Sequence, residues 1–406
     1  MTTPKHQSCD FCGKGKDDVE KLVVGQNGAI CNECVTLCDK ILKEQHGLDN
    51  RHGVEHFNPV KIKEFLDEFV IGQEEAKIAL SVGVSQHYKR INNLTSYIDL
   101  DKSNIMLIGP SGCGKTLMVK KIAEYIDVPF AHCDATALTE AGYVGEDVET
   151  LIQQLLIKAE GDIEAASRGI IYIDEIDKIS KKGDINSATK DVGGEGVQQA
   201  LLKMIEGSKV TIEFGKKKEE VEIDTKNILF IVGGAFVGIE KLISNRISNV
   251  GIGFNSIVAK DSENLYSKVD QKDLIKYGLI PEFVGRFSIL TSVEELNKKE
   301  LIKILTEPRN NLVNQYKYLF DIDGLEIEFQ MDALEAIADK SIASKTNARG
   351  LRTTLEKLLI PYQFEAQELA SKGLQKLVVT KDTVEKGELP MFIFEQQRKK
   401  ADGKKL

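Results

Sequence analysis

Five short apolar runs recur along the chain: Val128–Cys133, Ile105–Ile108, Ile170–Ile173, Ile228–Val232 and Phe287–Leu290. Most of their positions are apolar without alternation, which is the pattern of strands buried on both faces of a parallel sheet. Helical patterns separate them, one opening at Leu117. Strand and helix in alternation predict an α/β fold, a doubly wound parallel sheet that collects ligands at its strand C-termini. From about Glu294 the pattern turns mostly helical. Residues 210–214 and 221–224 do alternate, and with Gly215 and a run of lysines between them they predict a β-hairpin with a basic tip. Residues 47–59 lack any periodicity and read as a polar linker, and residues 244–270 read as a polar loop. The boundaries expected are 1–47, a linker at 48–60, a large domain at 61–293 and a small domain at 294–406.

Composition narrows the class. With 42% hydrophobic residues the 406-residue chain can fill a sizeable core, so disorder is excluded for most of it. The formal net charge of −9 disfavours a dedicated binder of nucleic acid. The longest apolar run, Ile228–Ile239, is too short to span a bilayer and is broken by glycines. The first residues carry no apolar signal core. The expectation is a soluble cytoplasmic protein, with no nucleic acid and no membrane among its partners.

Of seven cysteines, five fall between Cys9 and Cys38. Cys9-x-x-Cys12 and Cys31-x-x-Cys34 form two knuckles that can close a tetrahedron around one zinc ion, leaving no open position and so making the site structural. A redox pair or two disulfides are the alternatives, and two such pairs at this separation favour zinc. So small a module has little core of its own, so metal should supply much of its folding free energy. Residues 1–50 hold six lysines against eight acids, the wrong balance for reading DNA. Protein binding or self-association suits the module better. His46, His52 and His56 read as solvated linker residues.

The chemistry lies at the strand ends. Ile105–Ile108 leads into Gly109-Pro110-Ser111-Gly112-Cys113-Gly114-Lys115-Thr116 and then a helix from Leu117. This is a phosphate-binding loop in its strand–loop–helix setting, where inward-turned N–H groups and a helix N-terminus cradle the β-phosphate. Lys115 would reach the β- and γ-phosphates, and the Thr116 hydroxyl would ligate Mg²⁺. Ile170–Ile173 ends in Asp174-Glu175. Adjacent acids at a strand end also occur as helix caps, but beside a phosphate loop they point to Asp174 holding the Mg²⁺ shell and Glu175 polarising the attacking water. The cofactors expected are ATP, Mg²⁺ and Zn²⁺.

The phosphate loop, Asp174-Glu175 and the helical C-terminal part together resemble the AAA+ ATPases. Further motifs narrow the likeness: Gly142-Tyr143-Val144-Gly145-Glu146-Asp147, Gly194-Glu195-Gly196-Val197-Gln198-Gln199, Ile252-Gly253-Phe254, the run Leu279–Arg286, and Ala348-Arg349-Gly350-Leu351-Arg352. With the four-cysteine module in front, they are similar in content and order to the unfoldase subunits of the Clp protease. The resemblance implies a treble-clef-like zinc domain and a homohexameric ring working with the ClpP peptidase on protein substrates, with adaptors reaching the zinc domain. Tyr143 and Val144 would grip the translocating chain in the pore, a second pore loop would cover 188–195, and Ile252, Gly253 and Phe254 would dock on ClpP. Arg286 would reach the γ-phosphate held by a neighbouring subunit, Arg349 would contact nucleotide from the small domain, and Val70-Ile71 would pack on adenine. Arg352 reads as structural. The chain departs from the family at 208–226, where the hairpin replaces a longer pore-entrance loop carrying Arg-Lys-His, which bears on which tags it recognises. Gly233-Gly234 ends a strand where many AAA+ proteins carry a polar sensor. The rival class is an AAA+ nucleic-acid motor or loader.

Overall fold

The computed structural model describes residues 8–25, 28–38, 57–92, 98, 100–139, 146–180, 194–215, 219–250 and 265–394. It divides into two compact units, Met1–Asn58 and Pro59–Leu406. In the first, β1 (Leu22–Val24) and β2 (Ala29–Cys31) pair antiparallel, with Leu22 opposite Cys31. Residues 32–38 are helical. The core consists of Cys9, Cys31 and Cys34, with Val19, Leu22 and Ile30 packed against them. A core built around thiols holds too little apolar surface to stand by hydrophobic burial alone.

The second unit opens with α1 (Pro59–Asp67) and α2 (Glu74–Asn92); the first turn of α2 carries Glu74 and Glu75 and its last turn Lys89 and Arg90, as the helix dipole favours. Then follow β3 (Asn104–Ile108), α3 (Lys115–Ile126), β4 (Phe130–Asp134), the short pair β5 (Leu138–Thr139) and β6 (Glu146–Asp147), α4 (Thr150–Lys158), α5 (Ile163–Ser167) and β7 (Ile170–Asp174). After them come α6 (Gly194–Glu206), β8 (Lys209–Phe214), β9 (Glu219–Asp224), β10 (Leu229–Gly234), α7 (Ile239–Val250), α8 (Gln271–Tyr277), α9 (Pro281–Val284) and β11 (Phe287–Ser292).

The five expected strands form one sheet in the order β11-β3-β10-β7-β4, and every neighbouring pair is parallel. The apolar runs of β3, β7 and β10 are fully buried, which is why they lack alternation. The chain reaches β4 at one edge, returns through β7 and β10, and crosses β3 to finish at β11. That reversal beside β3 opens a crevice at the strand C-termini. The predicted hairpin is present, with β8 and β9 pairing antiparallel from Lys209↔Asp224 to Phe214↔Glu219; its lysine tip, 216–218, lies outside the described residues.

One expectation needs correction. Part of the polar loop placed at 244–270 is helical: α7 runs on through Val250 because Ile239, Ile243 and Ile247 recur at helical spacing against the core. Arg246 on the same helix pairs with the fully buried Asp273 of α8 at 2.8 Å, and Leu265–Lys268 forms a short 3₁₀ turn. The C-terminal part is mostly helical, as its pattern predicts. Among α10 (Lys298–Thr306), α11 (Leu312–Ile322), α12 (Met331–Ala343), α13 (Asn347–Phe364), α14 (Ala366–Ser371) and α15 (Lys381–Lys386) it carries a three-stranded sheet. There β12 (Glu326–Phe329) lies parallel to β13 (Leu374–Val379), and β14 (Met391–Phe394) antiparallel to it.

Candidate functional site

The loop after β3 turns on glycines. Gly114, at φ 95°, caps α3 in a left-handed conformation and leaves the first N–H groups of the helix facing the crevice. Gly112 (φ 79°) allows a second close approach, since a Cβ there would stand 2.6 Å from the Thr346 carbonyl oxygen. The Ala348 N–H donates to the Gly112 carbonyl (3.2 Å) and Asn347 Nδ2 to the Ser111 carbonyl (3.0 Å). These contacts seat the start of α13 on the phosphate loop and bring Arg349 to it.

Lys115 is 7% exposed and donates to the carbonyls of Gly109 (2.7 Å) and Pro110 (3.0 Å). Burial pulls its ammonium below the usual lysine range, against the opposing pull of Asp174. Thr116 Oγ1 donates to Asp174 Oδ2 at 2.8 Å, and Asp174 Oδ1 accepts from the Glu175 N–H at 2.9 Å. Glu175 is exposed, in a left-handed conformation (φ 54°) at the start of the 3₁₀ turn Ile176–Ile179. An adjacent hydroxyl and carboxylate at a phosphate cradle are a donor set suited to Mg²⁺.

An open cleft of ≈ 430 Å³ brings these groups together: Ser111, Gly112, Gly114–Leu117, Asp174, Glu175 and Arg349 line it. Cys113 turns away and is 3% exposed, and burial pushes its thiol up to about 11. The sequence reading missed Asp177, Lys178, Ala235 and Val237, which also line the cleft. Asp177 is buried and accepts from the Ala235 N–H at 3.1 Å, tying the end of β10 to the turn after β7. Its signal was available, three residues after Asp174, but only β10's position gives it a partner.

Val70 and Ile71 lie between α1 and α2, outside the cleft lining. Val70 is buried, with Cγ1 3.9 Å from where a Gly114 Cβ would stand. Arg286 is not in its own chain's cleft: its side chain pairs with Glu206 of α6 and is half-exposed, while its carbonyl accepts from Asn104 Nδ2 at 3.1 Å. Arg352 donates to Gln315 at 3.0 Å. Tyr143, Val144, Ile252, Gly253 and Phe254, with 188–193, lie outside the described residues.

In the N-terminal unit the Sγ atoms of Cys9, Cys12, Cys31 and Cys34 all lie within 4.8 Å of one another, and Cys12 and Cys31 are 3.7 Å apart. Thiolates about 2.3 Å from a shared tetrahedral ion fall roughly at that spacing. Burial pushes the Cys9 thiol up, but backbone N–H groups of Cys12, Cys31 and Phe11 more than offset it and leave it lowered to about 6. The four thiols fit zinc.

Three families match the chain: the ClpX C4-type zinc finger over 7–44, the AAA domain (Cdc48 subfamily) over 100–290, and the C-terminal, D2-small domain of ClpB protein over 296–385. Its relatives include the ATP-dependent Clp protease ATP-binding subunit ClpX of Borrelia duttonii (strain Ly), 47% identical over 393 residues, which cover 94% of this chain and 91% of the relative. The protein of the same name from Borrelia recurrentis (strain A1) matches with the same figures.

The chain belongs to the ClpX family. In this ClpX-family chain the cysteine cluster falls within the zinc-finger match, the phosphate loop and Asp174-Glu175 within the AAA match, and Arg349 within the small-domain match. It is an ATPase whose cofactors are ATP with Mg²⁺, and Zn²⁺. Among the described residues no helix is long and apolar enough to cross a membrane.

Proposed function

We propose that this chain is an ATP-driven protein unfoldase that assembles as a homohexamer, pulls tagged proteins through its pore and delivers them to the ClpP peptidase in the cytoplasm. The observation that carries it is the convergence of Lys115, Thr116, Asp174, Glu175 and Arg349 on one cleft, with the small domain seated on the phosphate loop. The assignment of domains is 1–47 zinc-binding, 48–60 linker, 61–293 large ATPase and 294–406 small.

In this reading the phosphate loop from Gly109 to Leu117 cradles the nucleotide phosphates, and Lys115 leaves its loop carbonyls to meet the β- and γ-oxygens. Thr116 and Asp174 would hold Mg²⁺, which would offset phosphate charge. Glu175, exposed at the rim, orients and polarises the attacking water. Val70 and Ile71 flank the adenine. Because Arg349 rides on α13, nucleotide contact is transmitted to the small domain as rotation, and Arg286 serves the cleft of the adjacent subunit. Tyr143 and Val144 then move along the pore axis, an aromatic and an aliphatic grip that tolerates any sequence. Ile252, Gly253 and Phe254 anchor the peptidase, and the zinc module, acidic on balance, receives adaptor proteins rather than nucleic acid.

The test is loss of fluorescence from a very stable fluorescent protein bearing each of several C-terminal tags. Wild type should unfold at least one tagged form only with ATP, Glu175→Gln should bind ATP without unfolding, and Tyr143→Ala should hydrolyse ATP with little unfolding. ATP hydrolysis that is stimulated by DNA, with no tagged substrate unfolded, would sink this reading in favour of a nucleic-acid motor.

A further inference from the structure

Two residues before Asp174, β7 carries Tyr172, which has the largest side chain among the fully buried residues. Positions i and i+2 of a strand face the same side, so Tyr172 and Asp174 share a face of the sheet. The phenol ring stacks on His132 of β4, with centroids 5.6 Å apart and planes at 14°. On its other side it reaches β10 at Gly233, where a Cβ would stand 2.0 Å from the phenol oxygen and 2.8 Å from Cζ. Gly233 is thus a glycine because Tyr172 occupies the space of its missing side chain. A hydroxyl from one strand stands where the next strand offers no polar side chain.

That hydroxyl is buried and has no partner at hydrogen-bonding geometry. The side chains that perturb it are Asp174 and Thr116. A phenol is an ordinary neutral O–H donor at physiological pH. A buried donor left unpaired is unfavourable, and Asp174, on the same face of the sheet, offers it a carboxylate acceptor.

We propose that Tyr172 is a positioning residue for the Mg²⁺ site, its O–H donating to the Asp174 carboxylate and fixing that carboxylate and Thr116 in the orientation the ion requires. The inference rests on Thr116 and Asp174 as the residues that hold Mg²⁺. With Thr116 turning its oxygen toward the ion, Asp174 has the Glu175 N–H on one oxygen and needs a second fixed donor to set its plane. Second partners of this kind tune ion affinity without touching the ion.

The experiment titrates Mg²⁺ into full-length protein with a fluorescent ADP analogue, for wild type, Tyr172→Phe, Gly233→Ala, their combination, and Asp174→Asn. Tyr172→Phe keeps the ring and removes only an unpaired buried hydroxyl, so its thermal midpoint in EDTA should match or exceed wild type. Its nucleotide affinity in EDTA should be unchanged, while half-saturating Mg²⁺ rises about tenfold. In turnover, kcat should fall by a similar factor with KM for ATP changed less than about twofold. Gly233→Ala, which pushes the phenol aside, should show the same Mg²⁺ shift, and the double variant no more than either alone. Tyr172→Phe with wild-type Mg²⁺ dependence would overturn the proposal and leave Tyr172 as filler. If Asp174→Asn also titrates like wild type, the assignment of Asp174 itself fails, a distinct result.

Discussion

Lys77 of α2 is 2% exposed, yet its ammonium is well furnished: 2.5 Å from Asp67, 3.1 Å from Glu74 and 3.1 Å from the Val70 carbonyl. Lys63 reaches the same two acids at 2.8 Å each. The group closes the corner between α1 and α2 from which Val70 approaches the phosphate loop at Gly114. Burial would raise the Asp67 carboxyl, but its bonds to Lys63 and Lys77 outweigh that and leave it lowered; for Glu74 the bonds to Lys63 and Lys77 dominate, and it too is lowered. Carboxyls with depressed folded values contribute stability that is present above their unfolded range, about pH 4, and is lost as pH falls below it. Both acids are more than a third exposed, so solvent screens much of this. Lys77→Met should lower unfolding free energy by about 1–3 kcal/mol at neutral pH and flatten the loss of stability below about pH 4, as urea melts across pH would show. Equal acid sensitivity in both proteins would assign the effect elsewhere. A lysine in an ordinary helical run does not announce its burial; the acid ten residues back, folded against it with Glu74 and the Val70 carbonyl, makes that position tolerable.

At the scale of elements, the N-terminal hairpin and the helical turn at 32–38 meet at thiols instead of an apolar core. Zinc removal should therefore abolish amide protection in this module, and the bound metal should be one ion per chain by colorimetric release. ATP hydrolysis by the separate second unit should persist. Protection that survives chelation would show that the hairpin stands without metal. The elements most legible in the sequence were those with the least choice. β3, β7 and β10 are buried on both faces, and β8 and β9 alternate because only one face is covered. The end of α7 was illegible because Ser244, Asn245, Ser248 and Asn249 mask its apolar spacing. So was the small sheet, whose outer strands β12 and β14 are four residues long and largely exposed. The phosphate loop and its acids could be read as a motif. Arg349's place beside them could not be read from spacing alone, because it depends on one helix start bonding to the Gly112 and Ser111 carbonyls.

For the whole molecule, the decisive residue is the arginine its own cleft lacks. Arg286 stands on the surface in a half-exposed pair with Glu206, an interaction worth about 0–1 kcal/mol and easily given up. The cations that line the cleft are Lys115, Lys178 and Arg349. If Arg286 completes a neighbour's site, Arg286→Ala should cut hydrolysis about a thousandfold or more, as loss of such an arginine does elsewhere, while nucleotide affinity changes little. Glu175→Gln should be similarly inactive for a different reason. Mixing the two distinguishes the geometries. In a random ring, a site that takes Glu175 from an Arg286→Ala subunit and Arg286 from a Glu175→Gln neighbour is intact, and about a quarter of sites at equal mixing meet that condition. Phosphate release from the mixture should therefore recover toward a quarter of the wild-type rate, and recovery should vanish on dilution below the concentration at which rings persist. An arginine acting within its own chain gives no recovery at any ratio, because every chain in the mixture then carries a defect in its own site.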